Sequence, residues 1–160
     1  AIERKTMLAR LEQLALHDSL TGLANRTLLQ DRLQLALQRA GREQRLLALF
    51  SVLRDWFGSE GFRGCAFINT SGETGDPQDP VRLVAKEHKQ KLLDYVCELC
   101  TEHGAEDPQL LARQLLILID GAITVALVMG DHSAADNAQC MARKLLDLYR
   151  LNKPDLLFNY

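Results

Sequence analysis

Apolar and polar positions recur along most of this chain with the period of an α-helix, and no segment shows the two-residue alternation of a half-buried strand. Met7, Leu8, Leu11, Leu14 and Ala15 predict a first helix over 2–16, with charges on its other side. His17, Asp18 and Ser19 interrupt it, and residues 21–25 read as a turn. Thr27 followed by Gln30 forms a capping box for a second helix, 28–40, ended by Gly41. A third helix, 42–57, places Leu46, Leu49, Phe50, Leu53, Trp56 and Phe57 on one face. Glycines at 58, 61 and 64 then open the longest irregular stretch, with one short helical turn expected at 65–69. Asp79-Pro80 and Asp107-Pro108 each set an N-cap before a proline at the first helical position, where its missing N–H costs nothing. Gly104 and Gly130 end the two helices that follow. Ser133 with Asp136 opens a last helix to about residue 151, stopped by Asn152 and Pro154. The fold class is all-α, an antiparallel helical bundle with a two-helix N-terminal extension, because short loops between the later helices make antiparallel neighbours.

The helix over 107–130 organises the rest. Between Leu115 and Met129 only Asp120, Gly121 and Thr124 break an otherwise apolar run. A helix apolar on all sides requires cover on all sides. As a run of about 15 residues with an internal carboxylate it is short for a membrane span, so no membrane is expected. Cover must come from a bundle or from a second subunit.

Composition narrows the classes. A net charge of −2 argues against a general nucleic-acid binder, although residues 1–50 carry eight Lys/Arg against five Asp/Glu. That bias reads as a solvated helical surface. Four cysteines, Cys65, Cys97, Cys100 and Cys140, are too few for a disulfide scaffold, and a reduced, cytoplasmic setting is expected.

Two family resemblances follow from the motifs. RLLALFSVLRDWF (45–57), FRGCAFIN (62–69), DPVRLVAKEHKQKLLDYVCELC (79–100) and LARQLLILIDGAITVALVMGD (111–131), in that order, resemble the C-terminal domain of TetR-type transcriptional regulators. The resemblance covers about 42–151. It implies that the last two helices of each subunit form a four-helix homodimer bundle, and that a cavity between earlier helices receives a small effector. Ala134, Ala135, Ala138 and Ala142 would allow close approach beside the central helix. Upstream, LEQLALHDSLTGLANRTLLQDRLQLAL (11–37) resembles the opening of a GGDEF domain through Asp18, Leu20, Thr21, Gly22, Leu23, Asn25 and Arg26. The chain has no GG[DE]EF sequence, and the metal-binding strand expected near 46–51 is replaced by TetR-like sequence. A cyclase holds its metals on carboxylates there, so no enzyme is expected. Residues 1–41 also show no helix-turn-helix, and DNA enters only if one lies upstream of Ala1. The organisation read is 1–41 as an extension, 42–151 as the TetR-like domain and 152–160 as a tail. An alternative is a non-catalytic dimerisation or linker module of a cyclic-dinucleotide signalling protein.

The TetR resemblance implies residue roles. A cavity lined by Trp56, Phe57, Phe62 and Phe67, with Asn69, His88 and Tyr95 as polar contacts, would take a small apolar or aromatic effector. Each is also an ordinary core candidate. Asp120, with Thr124 one turn on, is either a polar wall of that cavity or a carboxylate satisfied by a helix N-terminus, an arginine or backbone. Leu118, Ala122, Ala126, Met129, Ala134, Ala138, Met141, Ala142 and Leu145 are the expected dimer interface. Cys97, Cys100 and His103, with Cys140 or His88 as a fourth ligand, have metal-like composition. Structural zinc pairs rarely sit mid-helix, so buried small side chains are preferred, and neither metal nor cofactor is expected.

Overall fold

The computed structural model describes residues 24–41 and 44–150, with only the backbone described over 24–30. The helix expected at 2–16 and the tail 152–160 lie outside the described residues. Six α-helices are described: α1 (Ala24–Arg39), α2 (Arg45–Phe57), α3 (Ala66–Glu73), α4 (Pro80–His103), α5 (Pro108–Met129) and α6 (Ala134–Leu148). No strand occurs among the described residues; one antiparallel bridge joins Ala105 to Arg150. The fold class is all-α.

Local chemistry explains most helix ends. Asp79 accepts a 2.9 Å bond from the Val81 N–H, and Asp107 a 3.0 Å bond from Leu110 N–H, each quenching an orphan donor of the first turn. Gly104 and Gly130 close α4 and α5 with φ of 81° and 65°, the left-handed conformation that other residues avoid. Two expected capping boxes are corrected. Thr27 lies inside α1, which begins at Ala24, because nothing in the sequence from 24 to 27 breaks a helix. Ser133 makes no cap bond; its N–H and hydroxyl both donate to Asp131, at 2.9 and 2.6 Å. Asp136 instead pairs with Arg54. The short turn expected at 65–69 is the longer helix α3.

Packing follows an up-and-down order. Lys89 meets Asp120 across α4 and α5, residues nearly equidistant from the 104–107 loop, as antiparallel register demands. Arg45 at the start of α2 pairs with Glu102 at the end of α4. Gln139 of α6 donates to the Leu47 carbonyl and Ser51 hydroxyl of α2, one turn from the Arg54–Asp136 pair, so α2 and α6 are also antiparallel. Helix α2 therefore touches α4, α5 and α6, while α1 packs on α2. The exposed ion pairs add little stability, but they report the register.

The core is built on α2 and α5. Phe50, Phe57, Leu46, Leu111, Leu115, Val96 and Cys100 are its largest fully buried side chains. Each such burial contributes about 1.5–3 kcal/mol for a Leu- or Phe-sized group. Where α5 and α6 pack, Ala122, Ala126, Ala134, Ala135, Ala138 and Ala142 are all buried, and small side chains let the helices approach closely. Within one chain α5 is covered on one side only, so the alternative of a helix wholly enclosed by its own bundle does not hold. Its buried residues lie on one face, whereas Ile117, Val128 and Met129 are 71%, 76% and 73% exposed. Helix α5 is long and apolar enough to cross a membrane by length and composition alone, yet 39% of that window is buried inside the chain. The shortness argument against a span does not apply to the 22-residue helix.

Gly64 fixes how the segment before α3 meets α5. It has φ of 73°, and a Cβ there would sit 2.6 Å from Leu127 Cδ2. Gly64→Ala is therefore expected to cost about 1–3 kcal/mol in chemical denaturation. Adding Leu127→Ala should recover the steric part and leave the backbone part. No loss in the single variant would refute the close approach.

Candidate functional site

The residues expected to line one cavity divide into separate groups along the bundle. At the end of α2, Trp56, Phe57 and Phe62 form an aromatic cluster. Trp56 meets Phe62 edge-on at 5.0 Å, and Phe57 lies 5.0 Å from Phe62 at a tilt. Such contacts add about 0.5–1.5 kcal/mol beyond burial. Phe57 is 1% exposed, so it belongs to the core and offers no free surface. Trp56 and Phe62 are half-buried.

A second group lies where α3 crosses α4. The Phe67 ring stacks on the His88 imidazole with centroids 3.9 Å apart and planes 16° apart. The next residue on α4, Lys89, reaches Asp120 of α5 at 2.5 Å, with both side chains largely shielded from solvent. This answers the question Asp120 poses: its partner is a lysine on the neighbouring helix, rather than an arginine, a helix N-terminus or backbone. Sequence reasoning missed Lys89 because the run KEHKQK holds three lysines and no local pattern selects one. Only the α4–α5 register does.

The remaining polar candidates are committed elsewhere. Asn69 is exposed and donates a 3.0 Å bond to the Arg63 carbonyl, which holds the loop before α3. Thr124 is exposed and donates to the Asp120 carbonyl one turn back in its own helix. Tyr95 is half-buried two turns along α4 from His88, near Arg45 and Glu102. Burial pushes its phenol above the ordinary range, and the Arg45 guanidinium offsets part of the shift. The structure thus pairs Phe67 with His88, and Asp120 with Lys89, on successive residues of α4, while Asn69 and Thr124 spend their side-chain bonds on nearby backbone.

The expected interface residues need the same sorting. Ala122, Ala126, Ala134, Ala138 and Ala142 are buried within this one chain and offer no surface to a second copy. Leu118 and Leu145 are half-buried against the core. Met129 and Met141 alone of that set are exposed. Sequence reasoning missed Leu110, Ile117, Val125, Val128 and Leu148, which are exposed as well. At about 3.6 residues per turn, Leu110, Ile117, Gly121 and Val128 fall on one stripe of α5, opposite Leu111, Leu115, Ile119 and Ala126. The signal was present as that spacing, but a helix apolar all round does not say which side faces inward.

The four cysteines are free thiols, and Cys100 lies in the core. Among the described residues, no group of three or more His, Cys, Asp and Glu side chains is placed to hold a metal. Cys100 is fully buried, and burial followed by the neighbouring Cys97 pushes its thiol up to about 12. Burial thus holds the Cys100 thiol protonated at neutral pH, which disfavours it as a nucleophile.

Comparison with known proteins bears on these features. The family described as "Tetracyclin repressor-like, C-terminal domain" matches residues 43–142, and the family described as "Diguanylate cyclase, GGDEF domain" matches 15–58. The HTH-type transcriptional regulator YjdC of Escherichia coli is 29% identical over 108 residues, covering 68% of this chain. The match spans 56% of that relative's length. The crystal structure of SCO4454, a TetR-family transcriptional regulator from Streptomyces coelicolor, superposes with a TM-score of 0.69 at 27% identity. It covers 77% of this chain and 66% of its own. The bifunctional diguanylate cyclase/cyclic di-GMP phosphodiesterase MucR of Pseudomonas aeruginosa is 52% identical over 56 residues, 32% of this chain and 8% of MucR.

A buried acid group whose folded pKa is raised binds its proton more tightly than in the unfolded chain. Stability that depends on Cys100 is therefore whole below about pH 9 and lost as pH rises toward about 12. Denaturant midpoints are expected to fall over that window, and Cys100→Ala should flatten the slope. An unchanged slope in the variant would show that Cys100 is not the titrating group.

Proposed function

The chain belongs to the tetracyclin repressor-like C-terminal domain family, and from that premise we propose that it is the effector-binding and dimerisation domain of a TetR-like transcriptional regulator. The observation that carries the reading is the uncovered apolar stripe of α5. Exposed Ile117 and Val128 on one helix, with Met129 at its end and Met141 and Leu148 on the next helix, are costly to leave in water. A second copy laying the same face on this one would cover both stripes at once in an isologous, two-fold interface. The members proposed for it are Ile117, Gly121, Val128, Met129, Met141 and Leu148, with Leu118 and Leu145 at its margin.

The effector seat proposed is the α3–α4–α5 junction, with Phe67 and His88 as the aromatic surface and Lys89 with Asp120 as the polar group. Trp56 and Tyr95 flank it on their own helices. A small aromatic or apolar molecule bearing one polar substituent suits that chemistry. Residues 42–151 are proposed as the domain, 1–41 as an extension and 152–160 as a tail, in a cytoplasmic protein. DNA recognition, which the name of the Escherichia coli relative supports, is proposed to come from a helix-turn-helix preceding Ala1. Effector binding would then act by favouring one packing of the helices over another, changing the spacing of whatever the two N-termini carry.

A second reading has its own support in the match of residues 15–58 to the GGDEF family and the identity with MucR. It makes the chain a non-catalytic dimerisation or linker module of cyclic-dinucleotide signalling. No reaction is proposed in either case, because the chain lacks the GG[DE]EF motif.

Light scattering is expected to give twice the 18.0 kDa chain mass for the wild type. Ile117→Glu and Val128→Glu should yield monomers with unchanged helicity, since both sites are exposed within one chain. Ala126→Glu should unfold the protein instead, because it buries an unpaired charge. A wild type that is monomeric and soluble at all concentrations would sink the dimer. For the effector, thermal-shift screening with small aromatic acids and amines should raise the melting temperature of the wild type and raise it less in Phe67→Ala. No shift with any of them favours the linker reading.

A further inference from the structure

We propose that residues 58–79 form a strap that lifts off α4 as one unit, with Arg82 as its latch. Not one residue from 58 to 79 is buried, although the segment joins two core helices, α2 and α4. Helix α3, at its centre, packs on α4 and on no other helix to a comparable extent. Segments with few buried contacts open locally at free energies below that of global unfolding.

What attaches the strap is a short set of separable contacts. One nitrogen of Arg82, on the first turns of α4, donates to the carbonyls of both Ser71 and Thr74, at 3.1 Å each. These are end groups of α3 that the helix itself cannot satisfy. Phe67 adds its stack on His88. At the other end, Gly64 rests against Leu127 of α5, and Phe62 packs on Trp56 and on the core residue Phe57, a contact that opening must also break. Removing Arg82 frees one end of the strap and leaves two orphan carbonyls, which water can solvate once the strap is up.

Internal bonds keep the strap together when it lifts. Asn69 holds the Arg63 carbonyl, Thr70 donates to the Ala66 carbonyl, and Thr74 to that of Thr70. None of the three reaches α4 or α5. Gly58 and Gly75, at the two ends, have no neighbour that a side chain would strike hard, which suits them to absorb the backbone rotation. Opening uncovers the His88 face of α4, next to Lys89. That consequence rests on the effector reading above; the opening itself does not.

Hydrogen exchange of the full chain, read by mass spectrometry, tests the latch. Amides of 66–74 are expected to exchange at least about a hundredfold faster than those of 111–123 in the wild type. Arg82→Ala should speed the 66–74 amides by a further tenfold or about that, leaving α5 unchanged. Arg82→Lys, which keeps the charge without the planar donor fork, should fall between, and it carries the test if Arg82→Ala is not recovered folded. Equal protection of α3 and α5, or a variant that speeds every helix in step, would overturn the strap. A strap that opens while no aromatic compound shifts the melting temperature would keep this proposal and remove the effector one.

Discussion

Helix α5 can satisfy only one of its two apolar faces within a single chain, and the rest of the structure is arranged around that limit. Leu111, Leu115, Ile119, Ile123 and Ala126 turn inward, and α2, α4 and α6 close over them. Three helices around a fourth leave a side open. The open side here is apolar too, carrying Ile117 and Val128 where a solvated helix has charges. The same division explains the alanines. Inward-facing Ala122, Ala126, Ala138 and Ala142 are the reason α6 can lie close to α5, and so they cannot also be its outer surface.

Against this apolar frame the polar contacts are few and each has a definite task. The Lys89–Asp120 pair ties α4 to α5, and the Gln139 amide ties α6 to α2. A carboxylate taken from water needs a partner, and once paired it penalises any slip in register that would separate the two. The irregular segment before α4 has no buried residue and reaches the core through the half-buried Phe62 and Cys65. It is further held by Arg82, the Phe67–His88 stack and the Gly64 contact with Leu127. Among the described residues the buried side chains are thus concentrated in α2, α4, α5 and α6, and the segment between α2 and α4 has none.

Residues 43–58 match both families, and the structure shows which pattern they obey. Leu46, Leu47, Leu49, Phe50, Val52, Leu53 and Phe57 are all buried, a set that a helix can gather toward α4, α5 and α6. A strand would send alternate members to opposite faces. The stretch serves the helical core, and α1, the GGDEF-like part, is joined to that core by packing on α2.

Much of this was legible along the chain: the helical period, the Asp-Pro starts of α4 and α5, and their glycine stops, because propensity, capping and left-handed backbone act within a few residues. Even locally there were misreadings at Thr27 and Ser133, where a competing turn or an unbroken helix won. The partner of Asp120, the burial of the alanines between α5 and α6 and the local backbone partners of Asn69 and Thr124 were not legible. The first two depend on which face of a helix meets which neighbour, and at what register. An all-round apolar helix carries no mark of its inward side, and only the packing of α2, α4 and α6 around α5 decided it.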